Sequence, residues 1–256
     1  PRARTVALID GGREPPPNVF DRRMRDGLAA IDAEIVDPDR LNAMFPGRAL
    51  DSPEVANWLN KLEHVAPLVV YFGGGDASAW ARKAIRQADM VVFACSGDAP
   101  AAALTDVEAF ACRVHPASAR RLVRVHERRS REVSGTAAWL ARLPSFMHHH
   151  VALEDQIDVD SLIRFLSGRA IGFVASGGGS LGTAHVGIYK AFRERGVLFD
   201  IFVGTSVGSA MAAGFAKNLE AEDLERGTHE IFVRSRSFRR PTWPRYALLD
   251  HKVFDR

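Results

Sequence analysis

Short apolar runs alternate with amphipathic segments along the first two-thirds of the chain. Each run could form one buried strand, and the predicted strands are Val6 to Ile9, Leu68 to Phe72, Met90 to Ala94, Leu122 to Val125 and Ala170 to Ala175. The segments between them have apolar residues at helical spacing, and the predicted helices are Pro53 to Val65, Ala77 to Ala88, Thr105 to Arg113 and Gly135 to Arg142. In the first helix, Trp58, Leu62 and Val65 share one face. This alternation predicts an α/β fold in which helices cover both faces of a mostly parallel sheet.

Two glycine-rich turns follow the last two apolar runs. The first, from Ser176 to Gly182, contains Gly177, Gly178 and Gly179, and the second reads Gly204-Thr205-Ser206-Val207-Gly208 after the run Val197 to Val203. Each turn precedes a predicted helix, and these helices are Thr183 to Arg195 and Val207 to Ala216. Two consecutive strand–turn–helix units place both turns at the same end of a parallel sheet.

The Gly-x-Ser-x-Gly spacing of the second turn is typical of a nucleophilic serine. A strand that turns directly into a helix strains the residue at the apex, and side chains at Gly204 and Gly208 would clash with neighbouring backbone. Ser206 is therefore predicted to be exposed at a helix N-terminus. The amides of Gly177, Gly178 and Gly179 are predicted to stabilise the oxyanion that forms when a serine attacks an ester. Together the two turns indicate an acyl-transfer site.

The composition is ordinary for a soluble globular protein, with 46% hydrophobic residues, 25% charged residues and a net charge of +3. Cys95 and Cys112 cannot form a disulfide framework, which favours a reducing compartment. The sequence has neither a signal-peptide pattern nor an apolar run of the roughly 18 residues that a membrane span needs. We expect a cytoplasmic protein. Both chain ends, at Pro1 and Arg256, are interpreted as cuts within a longer protein.

The segment Ala170 to Ala213 resembles the start of a patatin-like phospholipase domain. The features that carry the resemblance are the glycine-rich loop, the following Ala184-His185-Val186-Gly187 and the Gly-Thr-Ser-x-Gly-Ser elbow. Upstream segments resemble the branch related to neuropathy target esterase, and they are Trp58 to Asn60, Ile85 to Asp89, Thr136 to Leu140 and His148 to His150.

This resemblance implies a serine hydrolase that acts on lysophospholipids or other fatty-acyl esters. Ser206 would be the nucleophile, Gly177, Gly178 and Gly179 would line the oxyanion hole, and the reaction would need no cofactor or metal. The family uses a Ser–Asp dyad whose aspartate belongs to a downstream Asp-Gly-Gly or Asp-Gly-Ala motif. No such motif follows Ser206, so the base is expected beyond Arg256 and the chain alone is expected to be inactive.

The acids after Ser206 are interpreted as solvated or non-catalytic, and they are Glu220, Glu222, Asp223, Glu225, Glu230, Asp250 and Asp255. The family also carries Arg or Lys just before the last glycine of the oxyanion loop, where this chain has Leu181. The missing Asp motif and the leucine at position 181 both favour an alternative, a catalytically inactive binding or regulatory module. His185 is interpreted as a residue that orients the loop.

A third hypothesis is dinucleotide binding. Gly177-x-Gly179-x-x-Gly182, with Asp200 further on, fits a dinucleotide fingerprint. In that fingerprint the acid closes the second strand, whereas Asp200 precedes its most apolar part, Ile201 to Val203.

The chain is divided into an N-terminal α/β region, residues 1–167, and the first half of a hydrolase domain, residues 168–256. In the first region, Asp10 to Arg13 and Tyr71 to Asp76 follow strands as phosphate-binding loops do, but no Gly-Lys-Ser or Gly-Lys-Thr ending is present. A degenerate nucleotide-hydrolase fold with ordinary turns accounts for this layout. The histidines at 148 to 150 point in different directions, so no metal site is expected.

Basic and aromatic residues are interleaved downstream of the elbow. Arg239, Arg240 and Trp243 are predicted to bind a membrane surface or the phospholipid substrate, because arginines bind phosphates and rings enter the interface. Nucleic acid uses similar chemistry, but a lipid substrate favours a peripheral membrane protein over a nucleic-acid-binding one.

Overall fold

The computed structural model of the chain describes residues 4–130, 132–217 and 221–234. Internal contacts divide the chain into two units, Pro1–Arg169 and Ala170–Arg256. Each unit has its own sheet and its own buried core.

Six parallel strands form the sheet of the first unit. They are β1 (Thr5–Asp10), β2 (Glu34–Val36), β3 (Val69–Gly74), β4 (Met90–Ser96), β5 (Arg120–His126) and β6 (Met147–Ala152), in the spatial order β2-β3-β1-β4-β5-β6. Parallel neighbours need long crossover connections, and helices lie within these connections. The helices are α1 (Asn18–Ala29), α2 (Pro38–Met44), α3 (Pro53–Val65), α4 (Ala79–Gln87), α5 (Asp106–Val114), α6 (Thr136–Arg142) and α7 (Ile157–Leu166).

The core of the first unit has two layers, one on each face of the sheet. Successive side chains of a strand point to opposite faces. Ile9 of β1 therefore packs in one layer with Trp80 of α4, while Leu8 packs in the other layer with Phe20 of α1. The predicted α/β fold, with helices on both faces of a parallel sheet, is confirmed.

The hydrophobic pattern does not predict β2, β6, α1, α2 or α7. Strand β2 has only three residues, and β6 contains the histidine run, which has no apolar alternation. In β6, His149 lies against Phe165 of α7, with ring centroids 4.7 Å apart, while His148 and His150 face each other at 5.7 Å. The polar run is therefore a partly buried strand.

Helix α3 has the predicted bounds but a different buried face. Its fully buried residues are Val55 and Leu59, and Trp58 and Leu62 are partly buried against the same core. Val65, which was predicted to share a face with Trp58 and Leu62, is 77% exposed and is not part of the core. Val65 is the last helical residue, and the chain turns there towards β3.

Helix α5 begins at a buried carboxylate. Thr105 and Glu108 form a capping box, in which the Glu108 amide donates to the Thr105 hydroxyl and the Thr105 amide donates to Glu108 Oε2. Arg142 of α6 binds both carboxylate oxygens, with two N–O distances of 2.7 Å, and the Gly12 amide donates to Glu108 Oε1 at 2.9 Å. The Glu108 side chain is fully buried, and that of Arg142 is 9% exposed.

Stability is expected to depend on pH through Glu108. Burial alone would raise the pKa of Glu108, but hydrogen bonds from Arg142, Thr105 and Gly12 hold it below the ordinary value of 4.5. A lowered folded-state pKa means that the unfolded state binds the proton first. The stabilisation is therefore present above about pH 4.5 and is lost as pH falls through the folded-state pKa.

Urea unfolding of the wild type and of Glu108→Gln at pH 7, 5, 4 and 3.5 tests this prediction. The difference in the free energy of unfolding between the two proteins should shrink as pH falls below about 4.5. A difference in the free energy of unfolding that stays constant over this pH range would contradict it.

In the described part of the second unit, two parallel strands form a sheet, and they are β7 (Gly172–Ala175) and β8 (Ile201–Gly204). Its helices are α8 (Ala184–Glu194), α9 (Val207–Ala216) and α10 (Ala221–Thr228), with a 3-10 turn at Gly179–Thr183 and a π-helical segment at His229–Arg234. Its core is largely aromatic. Tyr189 of α8 stacks on Phe215 of α9, with ring centroids 4.3 Å apart, and Phe173 of β7 packs on Phe215 at 5.3 Å.

Across both units, none of the described helices is long and apolar enough to cross a membrane.

Candidate active site

Ser206 lies at the apex of a strained turn between β8 and α9. Its backbone angles are φ 55° and ψ −128°, and among the described residues only Ser206 and Asp32 have a positive φ without being glycine. Such a conformation costs on the order of 1–3 kcal/mol and concentrates at functional sites. Ser206 is exposed, and it directly precedes the first residue of α9. Its hydroxyl is therefore placed at the positive end of a helix dipole.

The two glycines that flank the elbow leave no room for a side chain. A methyl group on Gly204 would lie 2.2 Å from the Gly208 carbonyl oxygen, and one on Gly208 would lie 2.2 Å from the Ala175 carbonyl oxygen. Real Cβ atoms do not approach backbone this closely. The steric reason predicted for the Gly-x-Ser-x-Gly spacing is confirmed.

The first glycine-rich turn lies beside this elbow. A methyl group on Gly177 would lie 3.2 Å from the Ser206 Cβ, so the two turns meet at the nucleophile. Within the described part of the chain, the Gly177 and Gly178 amides have no backbone acceptor. Gly179 has φ +57° and begins the 3-10 turn that leads into α8. Unpaired amides before a helix can stabilise a negative charge that develops next to Ser206.

Polar contacts and close packing hold the glycine-rich turn in place. The His185 Nε2 lies 3.0 Å from the Ser176 carbonyl oxygen, and the Thr183 hydroxyl donates to the Ser180 carbonyl oxygen at 2.8 Å. A methyl group on Gly182 would lie 2.2 Å from the Val207 Cγ1, so this glycine packs directly on α9. Because the His185 ring is bound to the loop backbone, the contact supports its interpretation as a positioning residue.

Replacement of His185 by Ala is expected to slow acylation of Ser206 about fivefold. The loop would lose one hydrogen bond worth about 1 kcal/mol, which corresponds to roughly a factor of five in rate if it is fully expressed in the transition state. The rate of fluorophosphonate labelling measures this effect. His185→Gln, whose amide can donate to the same carbonyl, should recover part of the rate, and equal rates for the wild type and His185→Ala would contradict the role.

Leu181 is 81% exposed at the edge of the glycine-rich turn. It lines a cavity of about 510 Å³, together with Val186 and Lys190 of α8 and Glu225 of α10. An exposed apolar side chain thus occupies the position at which the family carries a cation.

Asp200 is at the wrong end of the sheet for a dinucleotide site. Its carboxylate accepts a hydrogen bond from the Ile171 amide at 3.0 Å, before β7 and β8 begin. Gly177 to Gly182 follow the carboxyl end of β7. Because the acid of a dinucleotide fingerprint lies at the carboxyl end of its strand, this geometry disfavours the dinucleotide hypothesis.

Three of the acids after Ser206 form exposed ion pairs. Glu222 binds Lys190 at 2.9 Å, Glu230 binds Arg234 at 3.3 Å, and Asp223 binds Arg226. The hydrogen bond from Lys190 lowers the pKa of Glu222, which makes Glu222 a weaker base. Glu220, Asp250 and Asp255 lie outside the described residues, as do Arg239, Arg240 and Trp243.

The polar residues of the first unit form internal contacts. His126 Nε2 lies 2.9 Å from His150 Nδ1, and His150 Nε2 lies 3.1 Å from the Thr136 hydroxyl. Burial lowers the pKa of His149 and His150 to about 4 and raises that of Cys95 to about 12. Over the described ranges, no group of three or more His, Cys, Asp or Glu side chains is arranged to hold a metal ion.

The pair of Glu108 and Arg142 was not predicted from the sequence. The available signal was the capping-box spacing of Thr105 and Glu108 at a predicted helix start. That signal predicts a helix boundary and contains no information about a partner in α6.

Comparison with known families agrees with this geometry. Residues 3–171 match the model of the Neuropathy Target Esterase family P-loop like domain, and residues 173–255 match that of patatin-like phospholipases. The chain therefore belongs to the neuropathy target esterase branch of the patatin-like phospholipases, as the sequence resemblance indicated.

Similar curated proteins come from animals, fungi and bacteria. Patatin-like phospholipase domain-containing protein 7 of Rattus norvegicus is 26% identical over 91% of this chain, and protein 6 of Homo sapiens is 25% identical over 98%. Lysophospholipase NTE1 of Mycosarcoma maydis is 30% identical over 85% of the chain. The chain spans only 15% to 21% of the length of these relatives. No solved structure matches it significantly.

Proposed function

We propose that the protein hydrolyses fatty-acyl esters of phospholipids or lysophospholipids, with Ser206 as the nucleophile. The observation that carries this proposal is the strained, exposed Ser206 elbow, where Gly204 and Gly208 leave room only for hydrogen. Family membership and the name of the fungal relative, a lysophospholipase, support the same substrate class.

In the proposed reaction the Ser206 hydroxyl oxygen attacks the ester carbonyl carbon. An aspartate beyond Arg256 accepts the hydroxyl proton, and the amides of Gly177, Gly178 and Gly179 donate to the resulting oxyanion. Collapse of the tetrahedral intermediate expels the alcohol, which takes the proton from the aspartic acid, and leaves the acyl group on Ser206. Water, deprotonated by the same aspartate, then releases the fatty acid and restores the serine.

A catalytically inactive binding or regulatory module is the second candidate. The observation in its favour is Leu181, which is 81% exposed where the family carries a cation. Such a module would retain the lipid-binding surface but would not form an acyl-enzyme.

Fatty-acid release separates the two candidates. The protein expressed from its complete reading frame is incubated with lysophosphatidylcholine, phosphatidylcholine and a short-chain acyl ester, and free fatty acid is quantified by mass spectrometry. We expect release from at least one lipid ester. Binding of lipid without any release, and without fluorophosphonate labelling, would support the inactive module.

We also propose that the protein acts at the cytoplasmic surface of a membrane, to which Arg239, Arg240 and Trp243 bind. Each basic residue near an anionic surface contributes about 1 kcal/mol. Reversal of two charges, Arg239→Glu with Arg240→Glu, should therefore lower the affinity for anionic vesicles, measured by co-sedimentation, at least about tenfold. The matched control reverses two exposed arginines of the first unit, Arg22 and Arg48, and should bind as the wild type does. Equal binding of all three proteins would exclude this surface.

A further inference from the structure

The turn from Gly11 to Pro17 joins β1 to α1 at a place where parallel sheets commonly bind phosphate. The chain continues from β1 to β2 and β3 on one side of β1, and then crosses to β4 on the other side. A crevice forms where the connections diverge in this way, outside the carboxyl ends of the strands, and the amides of the strand-to-helix turn point at the ligand.

Most of the backbone donors of this turn are already used or absent. The Gly11 amide donates to the Ala94 carbonyl oxygen at 2.6 Å, and the Gly12 amide donates to Glu108 Oε1 at 2.9 Å. Pro15, Pro16 and Pro17 have no amide hydrogen. Five of the seven turn positions therefore offer no donor to an external anion.

The Glu108 carboxylate has the set of donors that a bound phosphate would require. It accepts from the Gly12 amide, from the Thr105 amide at 2.8 Å, and from two nitrogens of Arg142 at 2.7 Å each. A backbone amide beside a bidentate guanidinium is typical of oxyanion recognition. The carboxylate is fully buried, so it occupies this position without competition from water.

The surroundings also disfavour a second anion. A methyl group on Gly12 would lie 2.6 Å from the ring of Trp139, which is fully buried and lies 4.2 Å from the Arg142 guanidinium carbon. Asp10, at the end of β1, adds a further acid. Burial and the neighbouring Asp21 raise its pKa to about 6, so it is mostly ionised at neutral pH and repels phosphate.

We propose that the Glu108 carboxylate occupies the position after β1 at which this type of fold binds a phosphate. The Gly12 amide and Arg142 then form an oxyanion site that Glu108 fills. Small external anions can bind this site only when the Glu108 side chain is removed. The ligand class is a small carboxylate or phosphate ion.

Anion rescue of Glu108→Ala tests the proposal in the 256-residue chain. Removal of the carboxylate leaves Arg142 buried without a partner and should lower the Tm by about 10 °C. Sodium acetate or phosphate at about 100 mM should then raise the Tm of the variant by about 4 °C over sodium chloride of equal ionic strength, as binding to the folded state does. The wild type should gain less, because it has only the general stabilisation that excluded anions such as phosphate give to any folded protein.

Two comparisons make the result decisive. Asp37→Ala also removes an acid paired with an arginine, Arg25, but here the side chains are partly exposed, at 18% for Asp37 and 39% for Arg25, and the variant should show no rescue. Equal effects of acetate and chloride on Glu108→Ala would overturn the proposal.

If Glu108→Ala does not fold, the proposal is tested on the wild type by NMR, through the amide resonance of Gly12. The resonance should stay unchanged in 10 mM phosphate or Mg-ATP. A shift of this resonance on addition of phosphate would show that the turn binds external anions beside Glu108, and would likewise overturn the proposal.

Discussion

Ser206→Ala, in the protein expressed from its complete reading frame, is expected to abolish fluorophosphonate labelling and to lower fatty-acid release by at least about 10³-fold. The reason is that the acyl-enzyme needs an oxygen nucleophile at the elbow apex, and alanine has none. Backbone geometry should persist, because alanine adopts the positive φ of Ser206 with strain similar to that of serine.

Ser180→Ala is the matched control for this experiment. Ser180 belongs to the neighbouring glycine-rich turn and is exposed, but its side chain has no assigned part in the reaction. It should be labelled at a rate close to that of the wild type. Labelling of Ser206→Ala at another residue, with retained hydrolysis, would remove Ser206 from the mechanism.

Arg142→Met is expected to lower the free energy of unfolding of the first unit by about 3–5 kcal/mol. The substitution leaves the Glu108 carboxylate fully buried without its cationic partner, and an uncompensated buried charge has a cost of this size. Urea titration followed by tryptophan fluorescence measures the change, because Trp58, Trp80 and Trp139 all lie in this unit.

The control for Arg142→Met is Arg48→Met. Arg48 lies 3.9 Å from Glu54, and both side chains are more than half exposed. Exposed pairs contribute about 0–1 kcal/mol, so this variant should unfold nearly as the wild type does. Losses of the same size in both variants would mean that burial of the Glu108 pair has no special energetic role.

Features that depend on short-range interactions were predictable from the sequence. The elbow was predictable because Gly204, Ser206 and Gly208 lie within five consecutive residues, so their spacing alone implies the close backbone contacts that the structure contains. The start of α5 was predictable for the same reason, since Thr105 and Glu108 cap a single turn of helix.

Interactions between distant segments were not predictable in this way. The histidine run is strand β6 because β5 and α7 provide hydrogen bonds and packing partners, and His149 meets Phe165 only after α7 folds onto the sheet. Val65 has the helical spacing of a buried residue, but it ends the helix in solvent. In each case the hydrophobic pattern of the segment does not show which distant elements will pack against it.

The sequence by itself determined the α/β class, the order of most strands and helices, the nucleophile elbow and the family. These features depend on local sterics and on periodicities within single segments, so residues that are close together in the sequence are enough to predict them. Only the tertiary structure decided that Asp200 lies at the amino end of its strand pair, that Gly177 approaches Ser206, and that Glu108 meets Gly12 and Arg142. Such contacts join positions from about 29 to 96 residues apart, and they form because burial in a common core brings their elements together.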